Sequence, residues 1–218
     1  MRASGVRIAV VDYGMGNRRS VQKALERAGA EAPITGDHDV LRAADALVLP
    51  GVGAFGQAMA NLRSLGLDEL LRERAQSGTA LLGVCLGMQL LFESSEEHGR
   101  TDGLGLLPGT VTPLRTGGLR VPHIGWNTVH FARADPLLDG LPAAGCPFYH
   151  VHSLAVRPAA DEDVLGVTEY GERFATIVAH EQIRGVQFHP EKSSADGLRL
   201  LGNFVAGVRA GAVAGARA

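Results

Sequence analysis

Apolar residues near the start of the chain fall in short, nearly unbroken blocks rather than in alternation. Val6-Arg7-Ile8-Ala9-Val10-Val11, Ala46-Leu47-Val48-Leu49 and Ala80-Leu81-Leu82-Gly83-Val84 are the three blocks. Continuous apolarity over so short a span predicts strands buried on both faces, as in a parallel sheet. Helical spacing fills the intervals. Asn17 to Ala28 sets Val21, Ala24, Leu25 and Ala28 on one face, and Gly29 follows as a stop. Phe55 to Gln76 predicts a longer helical stretch with a break near Gly66, and Met88 to Phe92 a helix directly after the third block. Strand and helix in alternation imply βαβ units. From about Gly109 to Gln187 short strands dominate: Thr110-Val111-Thr112, Asn127 to Phe131, Phe148 to Val156, Thr176 to Ala179 and Gly185 to Phe188. A last helix, Leu198 to Val208, closes the pattern. The small residues from Gly211 to Ala218 predict a frayed tail, so the folded domain is expected over residues 1–210. No Pro/Ser-rich linker divides the chain. The expectation is a single α/β domain with a mixed, largely parallel central sheet.

Composition narrows the functions open to such a domain. The chain has 218 residues, 45% hydrophobic and 20% charged, with a net charge of −2. That charge gives no basic footprint for nucleic acid. No apolar run reaches the roughly 18 residues of a membrane helix, and Met1 to Gly5 lack a signal-peptide cleavage region. Two cysteines, Cys85 and Cys146, are too few for a disulfide scaffold and suit a reducing, cytoplasmic setting. Glycine is the outlier at 29 residues. Without a short repeat, so many glycines imply tight backbone turns at many places.

Three glycine clusters follow the three apolar blocks. Gly51-Val52-Gly53-Ala54-Phe55-Gly56 matches G-x-G-x-x-G literally. It does not sit on the first strand-to-helix turn, and the region about 20 residues on, Leu67 to Arg74, reads as helix rather than as a strand ending in a ribose-binding acid. A dinucleotide cofactor is therefore not expected, nor any other. Gly14-Met15-Gly16-Asn17 has Arg19 where a third glycine would stand. The third cluster, Gly83-Val84-Cys85-Leu86-Gly87, joins a buried strand to a helix with Cys at the turn. That is the layout of a nucleophile elbow, with a helix N-terminus that favours a thiolate. Equally, Cys85 could be a small buried hydrophobe. A nucleophilic cysteine needs a base, and the base an orienting group. Among the 8 histidines, His189-Pro190-Glu191 stands out. Proline holds itself and its predecessor extended, which would project imidazole and carboxylate to the same side. An exposed loop His beside an exposed Glu is the plainer alternative. His150-Val151-His152 has metal-like spacing but no local third ligand, so no metal site is expected there. Cys146 beside Pro147 reads as a structural residue in a turn.

Taken together, Cys85 in G-x-C-x-G-x-Q and His189-Pro190-Glu191 resemble the class I, triad-type glutamine amidotransferases, from Val6 to about Phe204. Further segments resemble the glutaminase subunits of imidazole glycerol phosphate synthases in particular. These are Asp12-Tyr13-Gly14-Met15-Gly16-Asn17, Leu49 to Phe55, Pro122-His123-Ile124-Gly125-Trp126-Asn127, Tyr149 to Ser153 and His189 to Ser193. Leu154 departs from the Tyr usual after His-Ser, and Arg18 from a common apolar residue. The resemblance implies a three-layer, flavodoxin-like fold. It implies Cys85 as nucleophile, His189 as acid and base, and Glu191 as the group that holds the imidazole tautomer. The oxyanion would be met by the N–H of Leu86 and one from Val52 or Gly53. Losing one such donor typically costs about 2.7–4 kcal/mol. Gln89, Glu97 and the Ser153 segment, with Gly53, would hold glutamine. The implied partner is a β/α-barrel cyclase in a heterodimer. It would receive ammonia and act on a phosphoribulosyl-formimino aminoimidazole carboxamide ribotide in histidine biosynthesis. Asn17, Trp126, Tyr149 and Lys192 would face it, and the glutaminase would be weak until the cyclase binds its substrate. Two alternatives stay open: a glutaminase of anthranilate, aminodeoxychorismate or guanylate synthesis, and a non-catalytic module of the same fold. The first lacks a reason for Ile124-Gly125-Trp126-Asn127, and the second has no need of all three of Cys85, His189 and Glu191.

Overall fold

The structure, a computed structural model, describes residues 5–211. The first apolar block forms β1 (Ile8–Val11), followed by α1 (Arg18–Arg27), β2 (Ile34–Thr35) and α2 (His38–Arg42). The second forms β3 (Ala46–Gly51), followed by α3 (Phe55–Ser64) and α4 (Leu67–Gln76). Gly66 breaks these two helices with φ +64, a backbone shape that glycine adopts without strain. The third block forms β4 (Ala80–Cys85), which turns directly into α5 (Leu86–Leu90). The second half contributes β5 (Phe92–Ser95), β6 (Thr101–Asp102), β7 (Leu107–Pro113), β8 (His123–Phe131), β9 (Cys146–His152), β10 (Leu154–Pro158), β11 (Val164–Glu169), β12 (Arg173–His180) and β13 (Ile183–Val186). The chain then enters α6 (Ser194–Arg209).

All the strands belong to one sheet with two characters. The run β2-β1-β3-β4-β13 is parallel, in the doubly wound order of flavodoxin-like folds. Beyond β13 the sheet continues as β12-β10-β7-β5-β6, antiparallel except for β5 beside β7, and β11, β8 and β9 extend it from β12. The parallel strands are buried on both faces, as their composition demands. Ala9, Val11, Leu47, Leu49 and Leu81 point to one layer, where Leu41, Phe55, Met59, Leu62, Leu67 and Leu71 pack. Ile8, Val10, Val48, Leu82 and Val84 point to the other, against Val21, Leu25, Leu200, Leu201 and Phe204. Helices thus cover both faces, and the carboxyl ends of β3 and β4 lead into one crevice.

Several boundaries differ from the pattern-based expectation. The helix expected over Met88 to Phe92 is instead α5, which begins at Leu86; Phe92 already starts β5. The five-residue α5 is set by backbone contact, not by periodicity. A Cβ on Gly87 would lie 1.7 Å from the Leu49 carbonyl oxygen, and one on Gly83 2.7 Å from the Gly87 oxygen. Phe148 to Val156 is two strands, interrupted at Ser153 between β9 and β10. Cys146 is the first residue of β9 rather than part of a turn, and it is buried. The last inner strand runs from Ile183 to Val186, so Gln187 and Phe188 lie beyond it. The closing helix spans Ser194–Arg209. Gly211 is a turn residue; the rest of the expected tail, and Met1 to Ser4, lie outside the described residues.

Gly87→Ala is expected to lower stability by at least about 3 kcal/mol, because the backbone of β3 has no room to yield. Urea unfolding, read as a fall in midpoint at constant slope, checks this.

Candidate active site

Cys85 sits at the turn from β4 into α5 with φ 55 and ψ −113. A side chain other than glycine rarely occupies that region, and holding it there costs about 1–3 kcal/mol. The cost is met by the packing just described: Gly83 and Gly87 let α5 lie against β3 and β4 with no intervening side chain. The forced turn carries the sulfur to the crevice while Cys85 as a whole stays buried. Its Sγ lies 3.8 Å from the Val151 carbonyl oxygen and 3.8 Å from the Gln187 side-chain nitrogen.

His189 and Glu191 come to the same place from the segment after β13. His189 Nδ1 lies 2.9 Å from Glu191 Oε1, and both side chains are almost wholly buried. They do not meet by extended geometry, as expected from Pro190. His189 is extended, but Pro190–Lys192 form a single 3-10 turn, which folds the carboxylate back under the ring. A carboxylate accepts, so Nδ1 carries the proton and Nε2 is left for the sulfur. Burial opposes a charged imidazole. The nearby Cys85 and the hydrogen-bonded Glu191, with their negative charges, outweigh it and raise the His189 pKa to about 9. Glu191 Oε2 is buried and meets no donor among the described residues. Its charge therefore depends on the imidazolium for compensation.

Ser193 fixes the position of this turn. Its hydroxyl donates to the His189 carbonyl at 2.7 Å and accepts from the Tyr149 N–H at 2.9 Å. The His189 N–H donates in turn to the Tyr149 carbonyl at 2.9 Å. The three residues close a ring of hydrogen bonds that ties His189 to β9.

A cavity of about 300 Å³ opens over the sulfur. Val52, Gly53, Cys85, Leu86, Gln89, Glu97, Ser153, His189 and Lys192, all singled out from sequence, line it. Pro122, Val151, His152 and Leu154 complete the wall. Leu86 is the first residue of α5, where a helix N–H has no intrahelical acceptor. Gly53 has φ +106, so its peptide takes an orientation closed to other residues. Tyr13 Oη donates to the Pro50 carbonyl at 2.8 Å and steadies the strand end before this loop. Burial, then the negative charge of Cys85, keep the Tyr13 phenol protonated by raising its pKa. Glu97 Oε2 accepts from the Phe55 N–H at 2.6 Å, which supplies the cap that α3 lacks locally. Gln89 donates to Gln187 at 3.0 Å.

His123 and His150 pack against His152, which lines the wall, and the three hold no free ring nitrogen for a ligand. His152 donates from Nδ1 to the Leu154 carbonyl at 2.8 Å, so its Nε2 accepts from His123 Nδ1 at 2.9 Å. His150 donates to the Phe148 carbonyl and accepts from Thr176. Burial is the chief cause that pushes His150 down to about 3 and His152 to about 4, which keeps both neutral. Of the residues that the resemblance sets toward a partner, Lys192 lines the cavity. Trp126 is 54% exposed and edge-on to Tyr149, its partner across β8 and β9. Ile124 is 59% exposed and Val121 half exposed beside it. Lys192 is exposed, and Asn17 is half-buried at the start of α1 without capping it.

The glutamine amidotransferase class-I family model matches residues 9–208. The chain belongs to this family. It is 53% identical over 197 residues to the imidazole glycerol phosphate synthase subunit HisH of Moorella thermoacetica, covering 90% of this chain and 93% of that one. It is 49% identical over 200 residues to the HisH subunit of Aquifex aeolicus, covering 91% and 96%. Among solved structures, PurLQS of Thermotoga maritima superposes with a TM-score of 0.75 at 21% identity, over 93% of this chain and 98% of that one. A crystal structure of a glutamine amidotransferase gives 0.71 at 23%, over 91% and 98%. At those identities the likeness is one of fold. The chain is a class-I glutamine amidotransferase of the HisH group.

Sequence reasoning missed Gln187 and Ser193 as members of the site. Both stand inside or beside quoted motifs, but only the folded chain sets one against the sulfur and the other between β9 and the base. Tyr13 was quoted without a task. The sign of the His189 shift gives a prediction. Glu191→Gln keeps a hydrogen-bond acceptor but removes the charge, so the His189 pKa should fall from about 9, by about 1 pH unit or more. Ring-proton NMR titration measures it. An unmoved midpoint would contradict the assigned partner.

Proposed function

We propose that this chain hydrolyses glutamine to glutamate and ammonia at Cys85, His189 and Glu191, and hands the ammonia to a cyclase subunit. The observation that carries the reading is a buried His189–Glu191 pair at 2.9 Å, with His189 and a cysteine on a strained elbow lining one cavity. The Cys85 thiolate attacks the side-chain amide carbon. The oxygen takes up negative charge and is met by the Leu86 N–H and one from Val52 or Gly53. His189 gives its proton to the departing nitrogen, ammonia leaves, and a γ-glutamyl thioester remains. Water then attacks the thioester as His189 takes its proton, and glutamate and thiolate are released. Glu191 holds the imidazole tautomer throughout. Gln89, Glu97 through its second carboxylate oxygen, Gly53 and the Ser153 segment hold the α-groups of glutamine.

The partner is proposed to be the β/α-barrel cyclase of imidazole glycerol phosphate synthase, in a heterodimer within the cytoplasm. The product would be imidazole glycerol phosphate, with aminoimidazole carboxamide ribotide, in histidine biosynthesis. Support comes from the identity to HisH subunits along nine-tenths of the chain. It comes also from the exposed apolar residues Val121, Ile124 and Trp126, on the segment that brings Pro122 to the cavity, since exposed apolar surface of this kind marks interaction sites. We take residues 1–210 as one amidotransferase domain. Both cysteines are free, which suits a reducing compartment. Among the described residues no helix is long and apolar enough to cross a membrane.

Cys85→Ala is expected to lower glutamine-dependent turnover of the complex by more than about 1,000-fold. Ammonia-dependent cyclase turnover should stay within about twofold. Retained glutamate release in Cys85→Ala would overturn the mechanism. A second measurement addresses the partner: glutamate release should rise when the cyclase binds its ribotide, and equal turnover with and without liganded cyclase would overturn that coupling.

A further inference from the structure

We propose that Gln187 is a catalytic residue whose side-chain amide donates a hydrogen bond to Cys85 Sγ and stabilises the thiolate. The inference rests on the reading of Cys85 as nucleophile. Gln187 lies just past β13, wholly buried, with its own N–H anchored on the Thr176 carbonyl at 2.9 Å. Its side-chain oxygen accepts from Gln89 Nε2 at 3.0 Å, which turns the NH₂ end toward the sulfur at 3.8 Å. Gln89 thereby acts as a positioning residue as well as part of the cavity wall. Among the described residues, Sγ is the acceptor that this buried NH₂ meets. A neutral thiol accepts weakly, and a buried donor facing a weak acceptor is costly. The arrangement becomes favourable when the sulfur is negative.

The surroundings of the sulfur otherwise pull in both directions. The Val151 carbonyl, 3.8 Å away, accepts from a thiol and repels a thiolate. The Tyr13 phenol interacts with the charge on Cys85 from the loop after β1. His189 supplies positive charge, but only while protonated, and its proton leaves with ammonia. Gln187 has no proton to lose in this range. It can therefore stabilise the sulfur at attack and again when the thiolate departs from the second tetrahedral intermediate, whatever the state of His189.

The test is the pH dependence of Cys85 alkylation by iodoacetamide in the isolated chain, followed by mass at the Cys85 peptide. In Gln187→Leu the midpoint should move up by about one pH unit, which is about tenfold less thiolate at a fixed lower pH. Gln187→Glu should move it further up, because a carboxylate would face the thiolate. That variant keeps the acceptor for Gln89, so it carries the test if the leucine variant does not fold. With cyclase bound, kcat for glutamine should fall about tenfold while KM stays within about twofold. A reactive Cys85 whose midpoint ignores both substitutions would overturn the role of Gln187 alone. A wild-type Cys85 no more reactive than an ordinary thiol would overturn the nucleophile assignment itself.

Discussion

The backbone of α5 lies directly on the backbone of β3, and the rest of the site depends on that contact. With no Cβ on Gly87, the Leu49 carbonyl can approach to a distance that any side chain would forbid. Gly83, on β4, likewise leaves room for the backbone of α5 at Gly87 and Met88. The chain then has to reverse within a single residue, and Cys85 takes the strained φ and ψ that the reversal requires. Strain of this kind persists only where surrounding structure over-determines it. Here it is over-determined by a five-strand parallel block with helices on both faces, so the sulfur is placed by the buried centre of the sheet.

Around that fixed point the electrostatics are divided by location. In and behind the cavity wall, burial holds His152 and His150 neutral, and each neutral ring has a defined donor and acceptor. At the cavity, burial is outweighed by Cys85 and Glu191, and His189 favours the charged form. His150 and His152 on the one hand and His189 on the other thus do opposite things, because only His189 is paired with a carboxylate. The G-x-G-x-x-G segment has a similar double reading. Its glycines serve a loop that borders the cavity, with Tyr13 gripping the peptide before it and Glu97 capping the helix after it.

What the sequence made legible is what local pattern encodes. Unbroken apolar blocks marked the parallel strands, and Gly66 marked the break between α3 and α4. The elbow motif located Cys85, and the spacing of His189 and Glu191 located their pairing. The route to that pairing was misread, because proline constrains φ but does not exclude a 3-10 turn starting at itself. The end of α5 was misplaced because periodicity says little over five residues, where a carbonyl contact decides. Short strands such as β2, β5 and β6 carry too few residues for a pattern; they exist because a neighbour's backbone is there to pair with. Gln187 and Ser193 were invisible as site residues for the same reason: each acts on a side chain or strand that is distant along the chain.

The ring of hydrogen bonds through Tyr149, Ser193 and His189 has one further consequence. Tyr149 belongs to the strand that also presents its ring to Trp126 at the surface. One residue therefore joins an exposed aromatic surface to the support of the His189 imidazole. A substitution that moves β9 at this surface would move that support as well, so the outer face and the ring within are mechanically one unit.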